Sequence, residues 1–253
     1  MPILQILDPK VPSPLAAGHC AFGIMTKYPE PGAVKTRLTP PLTAEEAAAL
    51  NKSFLRDLGR SILLACRETR SRGVAVYTPS GSEAGFSGFL PLGFLLILQR
   101  GISFGERLIF ALEDLFAVGF ASVCLINSDS PLVPASAFAS AARELAKDGD
   151  RVVLGRSDDG GYYLIGMKKL HRHLFQGIAW STAQVFEQTV NRAKEIKLPV
   201  HELPTGYDID DEPSLRRLAK ELLTAEDSRI APNTQRFLRE TLVRSDQDQS
   251  SKK

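Results

Sequence analysis

Tyr207-Asp208-Ile209-Asp210-Asp211-Glu212 packs four carboxylates into five consecutive positions. Acids this close repel unless water or a cation neutralises them. Alternation along an extended segment puts Asp208 and Asp210 on one side, whereas Asp211 and Glu212 suit a helix N-terminus. Asp208 and Asp210 are therefore candidate metal or ribose contacts. Asp129, in Asn127-Ser128-Asp129-Ser130-Pro131, follows the apolar run Val123 to Ile126. A carboxylate at the carboxyl end of a strand can hold a divalent cation, although Asp also serves plain turn chemistry.

The complementary charges lie in Pro31-Gly32-Ala33-Val34-Lys35-Thr36-Arg37-Leu38. This is not a Walker A loop, which needs Gly where the chain has Pro29 and Val34. The turn at Gly32 still exposes backbone N–H groups, and Lys35 and Arg37 add two cations, so the segment suits phosphate; a solvated basic turn is the alternative. Gln99 to Arg107 ends one strand and starts a helix, which places Arg107 as a second nucleotide contact or on a capped surface helix. In Asp158-Asp159-Gly160-Gly161, the glycines permit close approach of a substrate whose hydroxyls Asp159 can accept; a hairpin turn is the bland reading. Trp180-Ser181-Thr182 reads as an anchor plus N-cap, or as pocket lining. His171 and His173 lack a ligand cluster, and Cys124 reads as core.

Other chemistries drop out. The chain has no His-Glu-x-x-His, Gly-x-Ser-x-Gly, Gly-x-Gly-x-x-Gly or Cys-x-x-Cys, which removes support for zincins, α/β-hydrolases and dinucleotide oxidoreductases. Lys and Arg number 31 against 29 Asp and Glu, a net charge of +2 that argues against a nucleic-acid partner. Three scattered cysteines, Cys20, Cys66 and Cys124, make neither a disulfide framework nor a thiolate zinc site and fit a cytoplasmic location. The apolar run Phe89 to Leu98 is broken by Pro91 and Gly93 and is too short for a membrane span.

From Cys20 onward, short apolar runs alternate with helical patterns, the mark of an α/β fold with parallel strands and crossover helices. Strands are expected at Ala21 to Met25, Val74 to Tyr77, Phe94 to Leu98, Val123 to Ile126, Arg151 to Gly155, Tyr162 to Met167 and Val200 to Leu203. A capping box, Thr43 with Glu46, starts a helix carrying Leu50, Phe54, Leu58 and Ile62. Helices follow from Glu106 to Phe116, Ala135 to Ala146, Ser181 to Ile196, Asp211 to Leu223 and Pro232 to Val243. The chain of 253 residues thus divides into a loose extension (1–19), one domain (20–243) and a polar, disordered tail (244–253).

Taken in order, Lys27-Tyr28-Pro29 with Pro31 to Leu38, Asn127 to Pro131, Asp158-Asp159-Gly160-Gly161-Tyr162-Tyr163-Leu164-Ile165-Gly166, Trp180-Ser181-Thr182 and Tyr207 to Asp210 resemble one family. It is the selenodomain-associated transferase 1, or arsenosugar-biosynthesis-type glycosyltransferase, family. The resemblance covers roughly residues 20 to 243 and implies a GT-A (nucleotide-diphospho-sugar transferase) fold, with a mostly parallel central sheet and helices on both faces. It implies that Lys35 and Arg37 hold nucleotide phosphates, that Asp129 binds a metal, and that Asp208 or Asp210 completes the metal site. Asn127 stands where glycosyltransferases of this fold usually carry the first acid of Asp-x-Asp.

The expected activity is Mg²⁺- or Mn²⁺-dependent glycosyl transfer from a nucleotide sugar to a small acceptor, with Asp159 as base or acceptor-orienting group. Nucleotidyl transfer from a nucleoside triphosphate is the first alternative, and a catalytically silent nucleotide-binding module is the second.

Overall fold

Side chains alternate between the two faces of a strand, and in this chain both faces are apolar, so the sheet must be covered twice. The computed structural model describes residues 4–224 and 229–250, with side chains up to residue 241. Its strands are β1 (Gln5–Ile6), β2 (Cys20–Lys27), β3 (Ser71–Thr78), β4 (Leu95–Leu98), β5 (Ser122–Ile126), β6 (Val152–Ser157), β7 (Tyr162–Met167) and β8 (Val200–Gly206). Its helices are α1 (Ala44–Glu68), α2 (Glu83–Phe86), α3 (Phe104–Ala117), α4 (Ala135–Ala146), α5 (Val185–Glu195), α6 (Glu212–Thr224) and α7 (Pro232–Ser250). The strands form one eight-stranded sheet in the order β1-β4-β3-β2-β5-β7-β6-β8. Only β7 runs antiparallel to its neighbours β5 and β6.

Phe22 and Ile24 of β2 and Cys124 and Ile126 of β5 face a core completed by Leu55, Leu58 and Ile62 of α1 and Phe138 of α4. The intervening Ala21, Val123 and Leu125 face the opposite core, closed by Leu108, Leu112 and Leu115 of α3 and Phe186 of α5. A third cluster joins Leu50 and Phe54 of α1 to Leu215 and Leu218 of α6, Leu238 of α7 and the loop residues Leu38, Tyr207 and Ile209. Each fully buried Leu or Phe contributes roughly 1.5–3 kcal/mol. This third cluster is what fixes the loops carrying the basic and acidic motifs. The expected capping box is present: Thr43 N–H donates to Glu46 Oε2 at 2.9 Å, and Glu46 N–H to Thr43 Oγ1 at 3.1 Å.

Four expectations are corrected. Residues 4–19 are not loose: β1 pairs in parallel with β4 at the sheet edge, Leu4, Leu7 and Ala16 are buried, and Ala17 bridges Phe120. Prolines are compatible with such an edge segment because its outer N–H groups have no partner to lose. The last helix continues past Val243 to Ser250, into the segment expected as a disordered tail; residues 251–253 and the side chain of Leu242 lie outside the described residues. Ser181 does not cap α5, which starts at Val185, and instead adopts φ 62°. The Gly- and Ser-rich stretch from Pro79 to Gly88, whose composition alone reads as a loop, contains the short helix α2.

Leu7 is 4% exposed, so Leu7→Ala is expected to destabilise the protein by about 2 kcal/mol or more. Urea unfolding checks this, and a change below a few tenths of a kcal/mol would return the segment to an ornament.

Candidate functional site

Strands β2, β5 and β8 release their loops at one end of the sheet, where ligands bind in open α/β folds. Backbone hydrogen bonds stitch these loops together: Ile209 N–H donates to Asp129 O at 2.9 Å, Asp158 N–H to Gly206 O at 3.0 Å, and Phe186 N–H to Gly160 O at 2.9 Å. The Asp129 turn, the β6–β7 turn and the acidic segment therefore form one connected rim, and the Lys35 side chain ties the basic loop to it.

Lys35 sits at its centre. Its Nζ donates to Ile209 O at 2.6 Å and to Asp210 Oδ1 at 2.9 Å and pairs with Asp129 Oδ1 at 2.7 Å. The side chain is 5% exposed. Burial alone pushes its pKa down, but Asp129 and Asp210 outweigh burial and the net shift is upward, so the ammonium stays charged. The backbone of Lys35 lies at φ 50°, ψ 35°, a left-handed conformation costing a non-glycine residue roughly 1–2 kcal/mol. Strain of this kind persists where the surroundings over-determine it, as this three-oxygen grip does.

Two adjoining clefts open on either side of that contact. The first, about 320 Å³, is lined by Lys27, Ala33, Lys35, Arg37, Ser128 and Asp129 among others. The second, about 410 Å³, is lined by Phe104, Asn127, Asp159, Gly161, Tyr162, Trp180, Ser181, Thr182 and Asp208 among others. Arg37, Asp129 and Asp210 line both. Arg37 is exposed and makes no hydrogen bond or ion pair with the described residues, so its guanidinium is free for an anion. One cleft is basic, the other acidic, and the boundary between them carries both signs.

The acidic side is held in place by short local bonds. Asp208 Oδ1 accepts from Ser157 Oγ at 2.9 Å; burial and the charges of Asp159 and Asp210 push its pKa up to about 7. Burial works against Asp210 as well, but Lys35 holds its carboxyl below the usual carboxylate range. Asp159 Oδ1 accepts from Gly161 N–H at 2.8 Å, which fixes the carboxylate in its turn. Asp158 faces away from this cluster and pairs with Arg217 at 2.5 Å. Asp211 caps α6 by accepting from Ser214 N–H at 2.9 Å, as its sequence position suggests.

Gly160 has a structural reason to be glycine: at φ +91°, an added Cβ would lie 2.1 Å from Ala183 O. The β6–β7 turn thus presses on the segment carrying Trp180 to Thr182. Gly160→Ala is expected to cost about 2–4 kcal/mol through backbone strain and overpacking, whereas at Gly161 the nearest atom is the Asp159 carboxylate at 3.2 Å, which can give. Thermal melts of the two variants check the difference; equal losses would refute the contact.

Arg107 and Gly32 do not join the site. Arg107 is exposed and its Nε donates to Gly101 O at 3.4 Å, outside both clefts; Gly32 is exposed in a φ +74° turn beside the basic cleft. Phe104 was not anticipated. Its ring meets Trp180 edge-on with centroids 5.2 Å apart, and Phe104 is 51% exposed, so the two form an aromatic wall of the acidic cleft. The available signal was Ser103-x-x-Glu106, a capping box that starts α3 at Phe104 and not at Glu106.

Among the described residues no three His, Cys, Asp or Glu side chains stand together as a metal site. The point where Lys35 Nζ rests is nevertheless ringed by two carboxylate oxygens and a carbonyl oxygen, with Asp208 adjacent. Oxygen-only donors fit a hard divalent cation such as Mg²⁺ or Mn²⁺. Among the described residues no helix is long and apolar enough to cross a membrane.

Residues 63–182 match the family model DUF2064, described as an uncharacterized protein conserved in bacteria. No curated protein matches the chain. A crystal structure from Desulfovibrio desulfuricans G20, described as a "putative nucleotide-diphospho-sugar transferase", is 29% identical with a TM-score of 0.78, over 89% of this chain and 96% of that one. CMP:2-keto-3-deoxy-manno-octonic acid synthetase complexed with CTP aligns at 11% identity and TM-score 0.52, over 82% and 99% of the two chains. A cytidylyltransferase from Leptospira borgpetersenii serovar Hardjo-bovis aligns at 11% and 0.51, over 91% and 96%. The arsenosugar-type family is not among these matches. The sheet order, the covered faces and these likenesses together make the fold an α/β fold of the GT-A type.

Proposed function

We infer that the protein is a transferase that takes a nucleotide-activated donor and moves a glycosyl group from it to a small acceptor. The observation that carries this is the division of the site into a basic and an acidic cleft that share Arg37, Asp129 and Asp210. A diphosphate belongs on the basic side, where Arg37 offers a planar pair of donors to its oxygens. The acceptor belongs on the acidic side, against Trp180, Ser181 and Thr182, with Gly161 leaving room for close approach. Asp159 is the base or orienting group for the acceptor hydroxyl, and its fixed carboxylate lowers the cost of aligning it.

Asp129 and Asp210, with Asp208 beside them, would hold Mg²⁺ or Mn²⁺. When bound, that cation neutralises charge developing on the diphosphate leaving group. The experiment is a panel of nucleotide sugars and nucleoside triphosphates assayed with Mn²⁺ for the phosphorus product. Release of nucleoside diphosphate supports glycosyl transfer; release of pyrophosphate favours nucleotidyl transfer, the second reading, which Asn127 at the position of the first acid supports. No turnover of any donor would leave a binding module.

Arg37→Ala is expected to weaken binding of nucleoside diphosphates at least tenfold and of nucleosides little, because the guanidinium should meet phosphate and not base. Calorimetric titration checks it, and equal losses for the two ligand types would remove Arg37 from the phosphate site.

A further inference from the structure

An ammonium carries three N–H donors, and Lys35 spends them on Ile209 O at 2.6 Å, Asp129 Oδ1 at 2.7 Å and Asp210 Oδ1 at 2.9 Å. No donor is left for a phosphate while that grip holds. The same oxygens are the ones suited to a hard divalent cation. A monovalent and a divalent cation cannot occupy one set of oxygens, because they repel and because each needs the lone pairs the other uses.

We propose that Lys35 and a divalent metal ion compete for the Asp129, Asp210 and Ile209 oxygens, and that an incoming diphosphate decides the contest by giving the displaced ammonium a new partner. This rests on the assignment of the basic cleft to a diphosphate. Lys35 borders that cleft together with Lys27 and Arg37, so a modest turn of its side chain reaches the anion's oxygens. Phosphate oxygens in the basic cleft would add to the oxygen donors that Asp129 and Asp210 offer a divalent cation. Each ligand therefore strengthens the other, by the same factor in both directions as linkage requires. Without a diphosphate, Lys35 keeps the carboxylates neutralised and the metal out.

The test reads Mn²⁺ affinity of the full chain by electron paramagnetic resonance of free Mn²⁺, first with no phosphate present. Lys35→Met removes the competitor while keeping the side-chain length, and should bind Mn²⁺ at least tenfold more tightly than the wild type. Lys35→Gln, which keeps N–H donors for the carboxylates, carries the same expectation and replaces the Met variant if circular dichroism shows that one unfolded. Arg107→Met deletes an exposed charge outside both clefts and should change the affinity less than threefold. Equal affinity in the wild type and the Lys35 variants overturns the proposal. So does an equal gain in Arg107→Met, which would reduce the effect to general charge.

The second arm adds UDP, CDP, GDP or ADP, with the Mn²⁺–nucleotide complex subtracted from a protein-free titration. At least one should tighten Mn²⁺ binding tenfold or more in the wild type and less than threefold in Lys35→Met. A diphosphate that binds without this Lys35-dependent coupling overturns the proposal. If no diphosphate binds with or without Mn²⁺, the assignment of the basic cleft fails, and the phosphate-free arm still decides whether Lys35 and the metal compete.

Discussion

Asp57→Ala is expected to lower stability by about 3 kcal/mol or more, although Asp57 touches neither cleft. Its carboxylate is 0% exposed in the middle of α1 and accepts from Asn233 N–H at 3.0 Å, Asn233 Nδ2 at 2.7 Å, Thr234 N–H at 2.8 Å and Thr234 Oγ1 at 2.7 Å. Two of these are backbone donors of the first turn of α7, which have no partner within the helix, and two are side-chain donors of the same turn. Alanine leaves the Thr234 donors buried and the Asn233 donors half-buried without a partner, a buried one being worth about 1–3 kcal/mol, and removes the negative charge that the helix N-terminus attracts. For a chain of this size that loss corresponds to roughly 6–12 °C in melting temperature. Asp57→Asn keeps one acceptor oxygen and should fall between. Thermal and urea unfolding decide the matter; a melting temperature within 2 °C of wild type in Asp57→Ala would mean that α7 is held by its apolar face alone.

The consequence extends to the site. Leu238 of α7, Leu215 and Leu218 of α6 and Leu50 and Phe54 of α1 form the cluster into which Leu38, Tyr207 and Ile209 are set. Leu38 ends the basic loop, and Ile209 separates Asp208 from Asp210 while its own carbonyl holds Lys35. Loosening α7 therefore loosens both loops, and a weaker nucleotide response in Asp57→Ala should scale with the loss of stability.

Local rules made most of the scaffold legible. Thr43 and Glu46 announce α1 because the capping box needs nothing beyond its own four residues. The short apolar runs around Phe22 and Ile24 and from Val123 to Ile126 announce their strands because runs this short, closed by turn residues, suit a strand buried on both faces. What failed were features whose cause lies far away in the chain. Gln5–Ile6 is a strand only because β4 offers an edge, and two residues carry no period of their own. The continuation of α7 to Ser250 follows backbone hydrogen bonding along a helix already started, which an apolar pattern does not register. The site shows the same division. Asp129, Asp208, Asp210 and Arg37 were visible as charges beside strand ends, but Lys35 read as a phosphate ligand because its partner Asp210 lies 175 positions away. Nothing at local spacing reveals that a cation is already spoken for.

Asp129→Asn is expected to lower donor turnover by about 10²–10³-fold while leaving the fold intact. The turn survives because Asn retains an oxygen that can accept from Ser128 Oγ, now 3.0 Å from Asp129 Oδ1, and because the backbone bond from Ile209 N–H to Asp129 O is untouched. Lys35 keeps Asp210 and Ile209 O, so its charge remains paired. What disappears is one unit of negative charge at the boundary of the two clefts, where the proposed reaction would have a leaving diphosphate and its counter-ion to balance. Removing a charge used mainly in the transition state lowers kcat more than it raises KM, so the loss should fall on kcat, and Mn²⁺ should no longer shift the melting temperature in the presence of a nucleoside diphosphate. Asp159→Asn, by contrast, should leave that Mn²⁺ response in place and lose transfer to the acceptor. A fully active Asp129→Asn enzyme with an unchanged Mn²⁺ response would remove Asp129 from the chemistry and leave it as a turn residue.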